Sequence, residues 1–150
     1  MKGVFVRQAN DGDVSKVTEI EKVCFPDPWS EEAFYAQLNA SGGFFVLCDG
    51  EQVVGYAVMG IASPEAELYN IAVMQEYRGK GLSDVLFKHA LEAAVEKGVD
   101  TVFLEVRESN LRARRFYERL GFEEIGRRKR YYSQPTEDAI LMRMLLKSEK

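Results

Sequence analysis

The feature that most constrains the fold is an Asp49-Gly50 pair between two apolar runs, residues 43–49 and 52–61. An Asp-Gly pair between two strand-like runs is among the strongest short-range signals for a β-hairpin. The two runs are therefore predicted to form adjacent antiparallel strands, and an all-helical fold is excluded.

Strand-like and helix-like patterns alternate along the rest of the chain, and they predict a mixed α/β sheet in the order β-α-α-β-β-β-α-β-α-β-β. At 150 residues the default is one domain, 1–150. The predicted strands cover residues 4–7, 43–49, 52–61, 67–73, 101–106, 123–130 and 138–145, and the predicted helices start near Asp11 and Ser30, run over 82–97, and lie between Asn110 and Gly121.

Helix ends and buried faces are also predicted by the sequence. Asp11 can cap the first helix, and Ser30 can cap the second with Trp29 and Phe34 as a hydrophobic staple across the cap. The residues expected to face inward are Val14, Val17, Ile20 and Val23 in the first helix and Leu111, Phe116, Tyr117 and Leu120 in the last.

Composition excludes several classes of protein. The formal net charge of −4 argues against a general nucleic-acid or membrane-surface binder, although residues 107–130 are locally basic. His89 is the single histidine, so neither a histidine-based metal site nor a Ser-His-Asp triad is expected. Without an apolar run of about 18 residues, we expect no signal peptide and no anchor. Cys24 and Cys48 suit reduced thiols, hence a cytoplasmic protein.

The segment Arg78-Gly79-Lys80-Gly81-Leu82-Ser83 stands between a predicted strand and a long predicted helix. Two glycines allow a tight turn in which several backbone N–H groups converge on one anion, and the helix adds its positive dipole end. A pyrophosphate would suit this loop. The alternative is an ordinary turn with solvated Arg78 and Lys80. A dinucleotide fingerprint would need glycine in place of Asp84, and no P-loop string occurs.

A family resemblance rests on this loop and on an ordered series of further motifs. Ile71-Ala72-Val73 followed by Arg78-x-x-Gly81-x-Ser83 resembles motif A of the GNAT N-acetyltransferases, with Ser83 at the usual Gly/Ala position. The whole series is similar to the RimI type of this family. Its other members are Phe25-x-x-Pro28-Trp29-Ser30, Leu104-Glu105-Val106-Arg107, Ser109-Asn110, Phe116-Tyr117-Glu118-x-Leu120-Gly121-Phe122, Arg128-x-x-Tyr131-Tyr132 and Glu137-Asp138-Ala139.

The resemblance implies acetyl-CoA as co-substrate and, as acceptor, the N-terminal alanine of a ribosomal protein such as small-subunit protein S18. It implies that the backbone of Ile71, Ala72 and Val73 contacts the acetyl-pantetheine arm and that the amides of Gly79, Lys80, Gly81, Leu82, Ser83 and Asp84, behind Arg78, hold the pyrophosphate. Asn110 would also bind coenzyme A. Glu105 would be the general base and Tyr117 the general acid.

The implied roles agree with the chemistry of acetyl transfer. An α-amino group has a pKa of about 7.7–8.0, so a carboxylate such as Glu105 needs to supply only mild base catalysis. A tyrosine with a pKa of about 10 stays protonated at neutral pH and can donate a proton to the departing thiolate. A strand-edge amide near Ala72 or Val73 could stabilise the developing oxyanion.

Each residue also has a structural alternative. Glu105 could be an edge-strand acid facing solvent, and Tyr117 could be a core aromatic residue. The basic run 127–130 could be solvated, or could contact coenzyme A or an acidic peptide. Two other functions stay open: acetylation of a lysine side chain or small amine, and acyl-CoA binding without catalysis.

Overall fold

The computed structural model describes residues 3–133 and 135–146, and their secondary structure confirms the predicted order of elements. The predicted domain, 1–150, extends beyond these residues at both ends. The strands are β1 (Val4–Gln8), β2 (Phe44–Asp49), β3 (Gln52–Ala62), β4 (Glu65–Val73), β5 (Thr101–Arg107), β6 (Glu123–Tyr132) and β7 (Glu137–Leu145). The helices are α1 (Val14–Cys24), α2 (Glu31–Gln37), α3 (Leu82–Glu96) and α4 (Leu111–Leu120), with single 3₁₀ turns at Asp11–Asp13 and Gln75–Tyr77.

The described strands form one mixed sheet in the order β1-β2-β3-β4-β5-β7-β6. Every pair is antiparallel except β4 with β5. The predicted hairpin joins β2 and β3, and Asp49 pairs with Gln52 across a two-residue turn. Gly50 begins this turn at φ +61°, in the left-handed region that glycine enters without steric cost.

The parallel strands β4 and β5 separate soon after they meet. Their pairing extends only from Glu65–Thr101 to Glu67–Phe103, although β4 continues to Val73 and β5 to Arg107. Just beyond the last pair, a bulge in β4 shifts its register with β3 at Tyr69. A β-bulge bends its strand, and a gap opens here in the middle of the sheet. The backbone of Ile71, Ala72 and Val73 borders this gap.

Two apolar cores lie on opposite faces of the sheet. On one face α3 packs through Leu86, Phe87 and Ala90, and α4 adds Tyr117 and Leu120. On the other face α1 and α2 pack against β2 and β3 through residues that include Val14, Val17, Ile20, Phe34, Val46 and Tyr56. The layers are helix, sheet and helix. Within the described residues no helix is long and apolar enough to cross a membrane.

The predicted start of α2 is confirmed. The Ser30 hydroxyl accepts a hydrogen bond from the Ala33 N–H at 3.1 Å. The rings of Trp29 and Phe34 pack with their centroids 5.2 Å apart, which is the predicted staple.

Three local predictions are wrong. Asn10, not Asp11, provides the cap, because its side chain accepts from the Gly12 N–H and Asp13 completes the capping box. Val23 is 81% exposed and Leu111 is 53% exposed. Val23 lies nine residues after Val14, near the other end of α1. Leu111 lies nine residues before Leu120, at the other end of α4. At 3.6 residues per turn that spacing places the two on opposite sides of the helix.

Candidate active site

The glycine loop between β4 and α3 has the geometry of an anion cradle. Gly79 and Gly81 both adopt left-handed backbone conformations, with φ of +77° and +75°. A Cβ atom built on either glycine would meet nothing within 4 Å. Gly81 is the N-cap of α3, and in the described part of the chain no side chain caps this helix. Its first N–H groups are thus available to an anion.

A cavity of about 700 Å³ borders this loop, and we call it the donor cavity. Its lining brings together almost all of the residues predicted to bind the coenzyme. They are Ile71, Ala72, Val73, Arg78, Gly79, Gly81, Leu82, Ser83, Asp84 and Asn110. Lys80 is the exception, because its side chain is exposed and is not part of the lining. Any contribution of Lys80 would come from its backbone or from long-range charge.

Two charged residues of the loop are held by protein contacts. The Asp84 carboxylate pairs with Arg119 at 2.8 Å, which offsets a negative charge beside the expected phosphates. The Arg78 guanidinium donates through Nε to the Val73 carbonyl at 3.0 Å and through its NH2 group to the Cys24 Sγ at 3.2 Å. Arg78 therefore fastens the loop to the end of β4.

Asn110 lies at the start of α4 on the opposite wall of the donor cavity. Its side-chain carbonyl oxygen accepts a hydrogen bond from the Ala113 N–H at 3.1 Å and caps the helix. That oxygen is committed to the protein, so a contact from this side chain to a coenzyme would use the amide nitrogen.

Tyr117 both packs in the core and lines the donor cavity, so its position allows either of its predicted roles. Its ring packs edge-to-face on Phe122 with centroids 5.8 Å apart, as a core residue would, and it also lines the donor cavity. Burial is the main cause that raises the pKa of the Tyr117 hydroxyl above its ordinary value. The hydroxyl is therefore protonated throughout the neutral range, as a proton donor must be.

Glu105 lines a second cavity of about 600 Å³, which we call the acceptor cavity. The alternative of an acid facing solvent is wrong, because the Glu105 side chain is mostly buried, although β5 has left its pairing with β4 at this position. The Glu105 side chain is 19% exposed, and its Oε1 is 3.2 Å from the Nε of Arg128. A mostly buried carboxylate with one guanidinium partner retains oxygen lone pairs that can accept a proton from an amine.

Glu67 is a neighbour of Glu105 that the sequence did not indicate. It pairs in register with Phe103, and Glu105 lies two residues further along β5, so the two carboxylates share one face of the sheet. Both line the acceptor cavity. Burial raises the pKa of Glu67, and the charge of Glu105 raises it further. Only the register of β4 against β5 could have revealed this pair.

The donor and acceptor cavities have no described lining residue in common, but both are lined by β4 beside its gap with β5, by Ile71, Ala72 and Val73 in the donor cavity and by Tyr69 in the acceptor cavity. Glu105 faces the α1 and α2 side of the sheet, whereas Tyr117 packs with the core on the α3 and α4 side. Tyr132 lies within electrostatic reach of both. Burial and the charge of Glu105 raise the pKa of Tyr132 to about 12, and Tyr132 in turn raises the pKa of Tyr117. The Glu105 carboxyl group and the Tyr117 hydroxyl therefore lie in two cavities that are both lined by β4.

Comparison with known proteins identifies the family to which this chain belongs. A model of the acetyltransferase (GNAT) family matches residues 14–122. The chain belongs to the GNAT family. GNAT acetyltransferases use acetyl-CoA as the acetyl donor, and the open glycine cradle and the uncapped α3 fit its pyrophosphate.

Named relatives of this GNAT protein are similar over most of its length. Ribosomal protein bS18-alanine N-acetyltransferase of Haemophilus influenzae is 36% identical over 143 residues, which cover 91% of this chain and 95% of the relative. The Escherichia coli K12 enzyme of the same name is 36% identical over 132 residues, covering 87% and 89%.

Solved structures agree with the fold. The crystal structure of the ribosomal-protein-S18-alanine N-acetyltransferase from Escherichia coli superposes with a TM-score of 0.87 at 32% identity, covering 99% of this chain and 97% of that one. Ard1 from Thermoplasma volcanium, at 24% identity, has a TM-score of 0.91 over 97% of this chain and 99% of that one, a likeness of fold.

The basic run of this GNAT protein does not border the donor cavity. Arg127 pairs with Glu108 at 2.5 Å and Asp138 at 3.2 Å, and Arg128 reaches Glu105 in the acceptor cavity. The arginines that line the donor cavity beside the loop come instead from α4. They are Arg112, Arg115 and Arg119. Among the described residues no group of three or more His, Cys, Asp or Glu side chains could hold a metal ion.

Proposed function

We propose that this GNAT protein transfers the acetyl group of acetyl-CoA to the α-amino group of a protein N-terminus, with the N-terminal alanine of ribosomal protein bS18 as acceptor. The observation that carries the proposal is the pair of cavities that β4 lines along its gap with β5, with Glu105 in one and Tyr117 in the other. The choice of bS18 is supported by the names of relatives that match 87–91% of this chain.

The donor would bind through backbone groups first. The loop is open at Gly79 and Gly81 and lies at the positive end of α3, where the amides from Gly79 to Asp84 would hold the pyrophosphate. The backbone of Ile71, Ala72 and Val73 borders the gap and would hold the pantetheine arm in the manner of an added strand. Bound acetyl-CoA supplies a thioester whose carbonyl carbon accepts the amine.

Glu105 would act on the acceptor amine. Its carboxylate lies in the acceptor cavity, ion-paired to Arg128, and would take a proton from the ammonium directly or through a water molecule. An α-amino group needs little help, since its pKa is about 7.7–8.0, whereas the ε-amino group of lysine has a pKa of about 10.4. A backbone N–H near Ala72 or Val73 would stabilise the oxygen of the thioester carbonyl as charge develops on it.

Tyr117 would complete the transfer. Its hydroxyl stays protonated because burial raises its pKa, and it lies in the donor cavity where the coenzyme thiol would leave. Donation of this proton to the thiolate prevents the reverse attack on the new amide. The base and the acid would thus serve opposite sides of the reacting carbonyl.

Two further properties belong to the same proposal. Residues 1–150 would form one acetyltransferase domain, as the sheet that runs from β1 to β7 supports. The protein would act in the cytoplasm, where Cys24 and Cys48, both free in the structure, stay reduced.

The test is a turnover assay with acetyl-CoA and three acceptors, read by mass spectrometry that locates the acetyl group. The first acceptor is a peptide with the N-terminal sequence of bS18, the second is the same peptide with a blocked α-amine, and the third is a free lysine side chain in a blocked peptide. Acetylation of the first alone supports the proposal. Equal or greater turnover of the third would indicate a lysine or small-amine acetyltransferase, and binding of acetyl-CoA without turnover would indicate a non-catalytic module.

A further inference from the structure

Arg107 is a nearly buried cation at the end of β5 whose contacts have no part in the chemistry described above. It lies two residues beyond Glu105 and therefore on the same face of the sheet. Its side chain is only 12% exposed. A guanidinium held this far from solvent must satisfy its donors with protein acceptors.

Those acceptors belong to two segments that are far apart in sequence. In the connection between α1 and α2, residues 25–30, Arg107 forms an ion pair with the Asp27 carboxylate. At the connection between β6 and β7 it donates to the Ser133 carbonyl at 3.0 Å, the Pro135 carbonyl at 3.0 Å and the Glu137 carboxylate at 2.9 Å. The two connections meet through this one side chain.

The same guanidinium also orders an aromatic ring of the site. Its central carbon lies 4.5 Å from the centroid of the Tyr132 ring, a cation–π contact. Glu137, one of its carboxylate partners, also accepts hydrogen bonds from the Ser109 N–H and hydroxyl at 3.1 Å and 3.0 Å, which extends the network to the start of α4.

The α1–α2 connection matters because it lines one cavity and packs on the lining of the other within five residues. Phe25 lines the donor cavity. Trp29 packs on Tyr69 with ring centroids 5.8 Å apart, and Tyr69 lines the acceptor cavity. Asp27, the partner of Arg107, lies midway between them. The ion pair of Arg107 with Asp27 therefore holds a segment that contacts both cavities, directly at Phe25 and through Tyr69 at Trp29.

We propose that Arg107 is a positioning residue for the acceptor: it ties the α1–α2 connection to the β6–β7 connection, and so holds Tyr132 near Glu105 and, through Trp29, holds Tyr69 in the lining of the acceptor cavity. The planar fork of arginine is required, because it reaches a carboxylate and a backbone carbonyl from each terminal nitrogen while stacking on a ring. Lysine has a single nitrogen and cannot reproduce this set of contacts.

The inference rests on the proposed acceptor chemistry. It predicts a large effect on binding of the acceptor and a small effect on binding of the donor. Arg107 is not part of the donor-cavity lining, and the glycine cradle and the gap-facing backbone of β4 come from other elements. Loosening the two connections would displace the acceptor, and misplacement by about an ångström can cost on the order of a hundredfold in rate. Among the described residues of the two connections, Phe25 alone lines the donor cavity, so the apparent affinity for acetyl-CoA should change much less than that for the acceptor.

The experiment compares Arg107→Lys and Arg107→Met with the wild type. For the bS18 peptide we expect KM to rise about tenfold or more, while KM for acetyl-CoA stays within about threefold. Hydrogen exchange should become faster in both connections together. Asp27→Asn weakens one contact at a partly exposed carboxylate, and we expect a smaller rise in KM for the peptide. This variant tests the proposal even if the Arg107 variants fold poorly.

Arg7→Met is the matched control. Arg7 also makes a two-pronged ion pair, with Asp13 at 2.7 Å and 2.9 Å, but it lies on β1 and outside both cavity linings. A control variant that loses stability without a change in peptide KM supports the proposal. An unchanged peptide KM in Arg107→Met and Asp27→Asn, or an equal rise in Arg7→Met, overturns it.

Failure of the proposed function would look different. If the wild-type protein acetylates another amine and not the bS18 peptide, the acceptor assignment fails, and the same comparison is made with that amine. Hydrogen exchange does not depend on the acceptor. If Arg107→Met leaves the exchange of both connections unchanged, the positioning role is refuted whichever amine is the substrate.

Discussion

Replacing Gly81 with alanine tests whether the glycine loop binds the donor. The structure separates two effects of the added methyl group. One is backbone strain, because Gly81 has φ +75°. The other is obstruction, because the Cβ would project into open space at the mouth of α3, where nothing in the protein lies within 4 Å. The protein itself therefore accommodates the methyl group, and a bound pyrophosphate would not.

The expected magnitudes follow from these two effects. A non-glycine residue in the left-handed region costs roughly 1–2 kcal/mol. In a domain of this size each kcal/mol lowers Tm by about 2–4 °C. Loss of one hydrogen bond to a charged phosphate costs roughly 1.5–3 kcal/mol, which corresponds to a roughly 10- to 150-fold weaker Kd for acetyl-CoA. Gly81→Val, whose β-branched side chain is larger and fits φ > 0 less well, should abolish binding.

Gly50→Ala is the matched control for this substitution. Gly50 also has a left-handed conformation, φ +61°, and open space where an added Cβ would lie, but it belongs to the β2–β3 turn outside the donor cavity. Both variants should lose similar stability in thermal unfolding. Only Gly81→Ala should lose affinity in isothermal calorimetry with acetyl-CoA. Equal Kd values for the two variants would remove Gly81 from the binding site and refute the reasoning.

Three further outcomes are expected. Tyr117→Phe should lower kcat by on the order of 10²–10⁴ with little change in Tm or acetyl-CoA affinity; a folded variant with near-wild-type turnover would leave Tyr117 a core residue. Glu105→Gln should reduce kcat/KM more at pH 6 than at pH 8.5 by roughly the gain in neutral amine, and a deficit that is constant with pH would contradict the base role. Asp13→Asn should lower the free energy of unfolding at pH 7 by about 1–3 kcal/mol. Burial alone would raise the pKa of Asp13, but hydrogen bonds from Arg7 and the Asn10 N–H outweigh burial and hold it low. This stabilisation is fully present above the unfolded-state pKa of about 3.9 and is lost as pH falls through the lowered folded-state pKa. Urea unfolding should therefore show the gap between variant and wild type narrowing as pH falls below about 3.9; a gap that does not change with pH would argue against this account.

The features predicted correctly from the sequence are those that nearby residues determine. The Ser30 cap, the Trp29–Phe34 staple and the Asp49-Gly50 hairpin each depend on residues within five positions of one another. The two glycines of the loop are similar, because a left-handed conformation is a local property. The order of strands and helices along the chain follows from local signals of this kind.

The features that the sequence did not indicate depend on contacts between distant segments. Glu21 is 1% exposed, a fully buried carboxylate. It accepts hydrogen bonds from the Tyr56 hydroxyl, from the Asn70 side-chain amide at 2.8 Å and from the Trp29 N–H at 2.9 Å. Two of these donors lie 35 and 49 residues away. No helical period can show which strand will stand opposite α1, so neither this network nor the Glu67–Glu105 pair could be predicted.

The edge of the sheet formed by β6 has a consequence for how the protein behaves at high concentration. An unpaired strand edge can recruit a strand from another molecule and start aggregation. Here the register of β6 with β7 breaks between Arg128 and Tyr132, and Arg130 takes a left-handed φ of 53°. Four successive cations, residues 127–130, occupy the same stretch. The β6 edge of a second copy approaching this edge would meet like charge and an interrupted row of hydrogen-bonding groups, so the basic run disfavours pairing between two β6 edges.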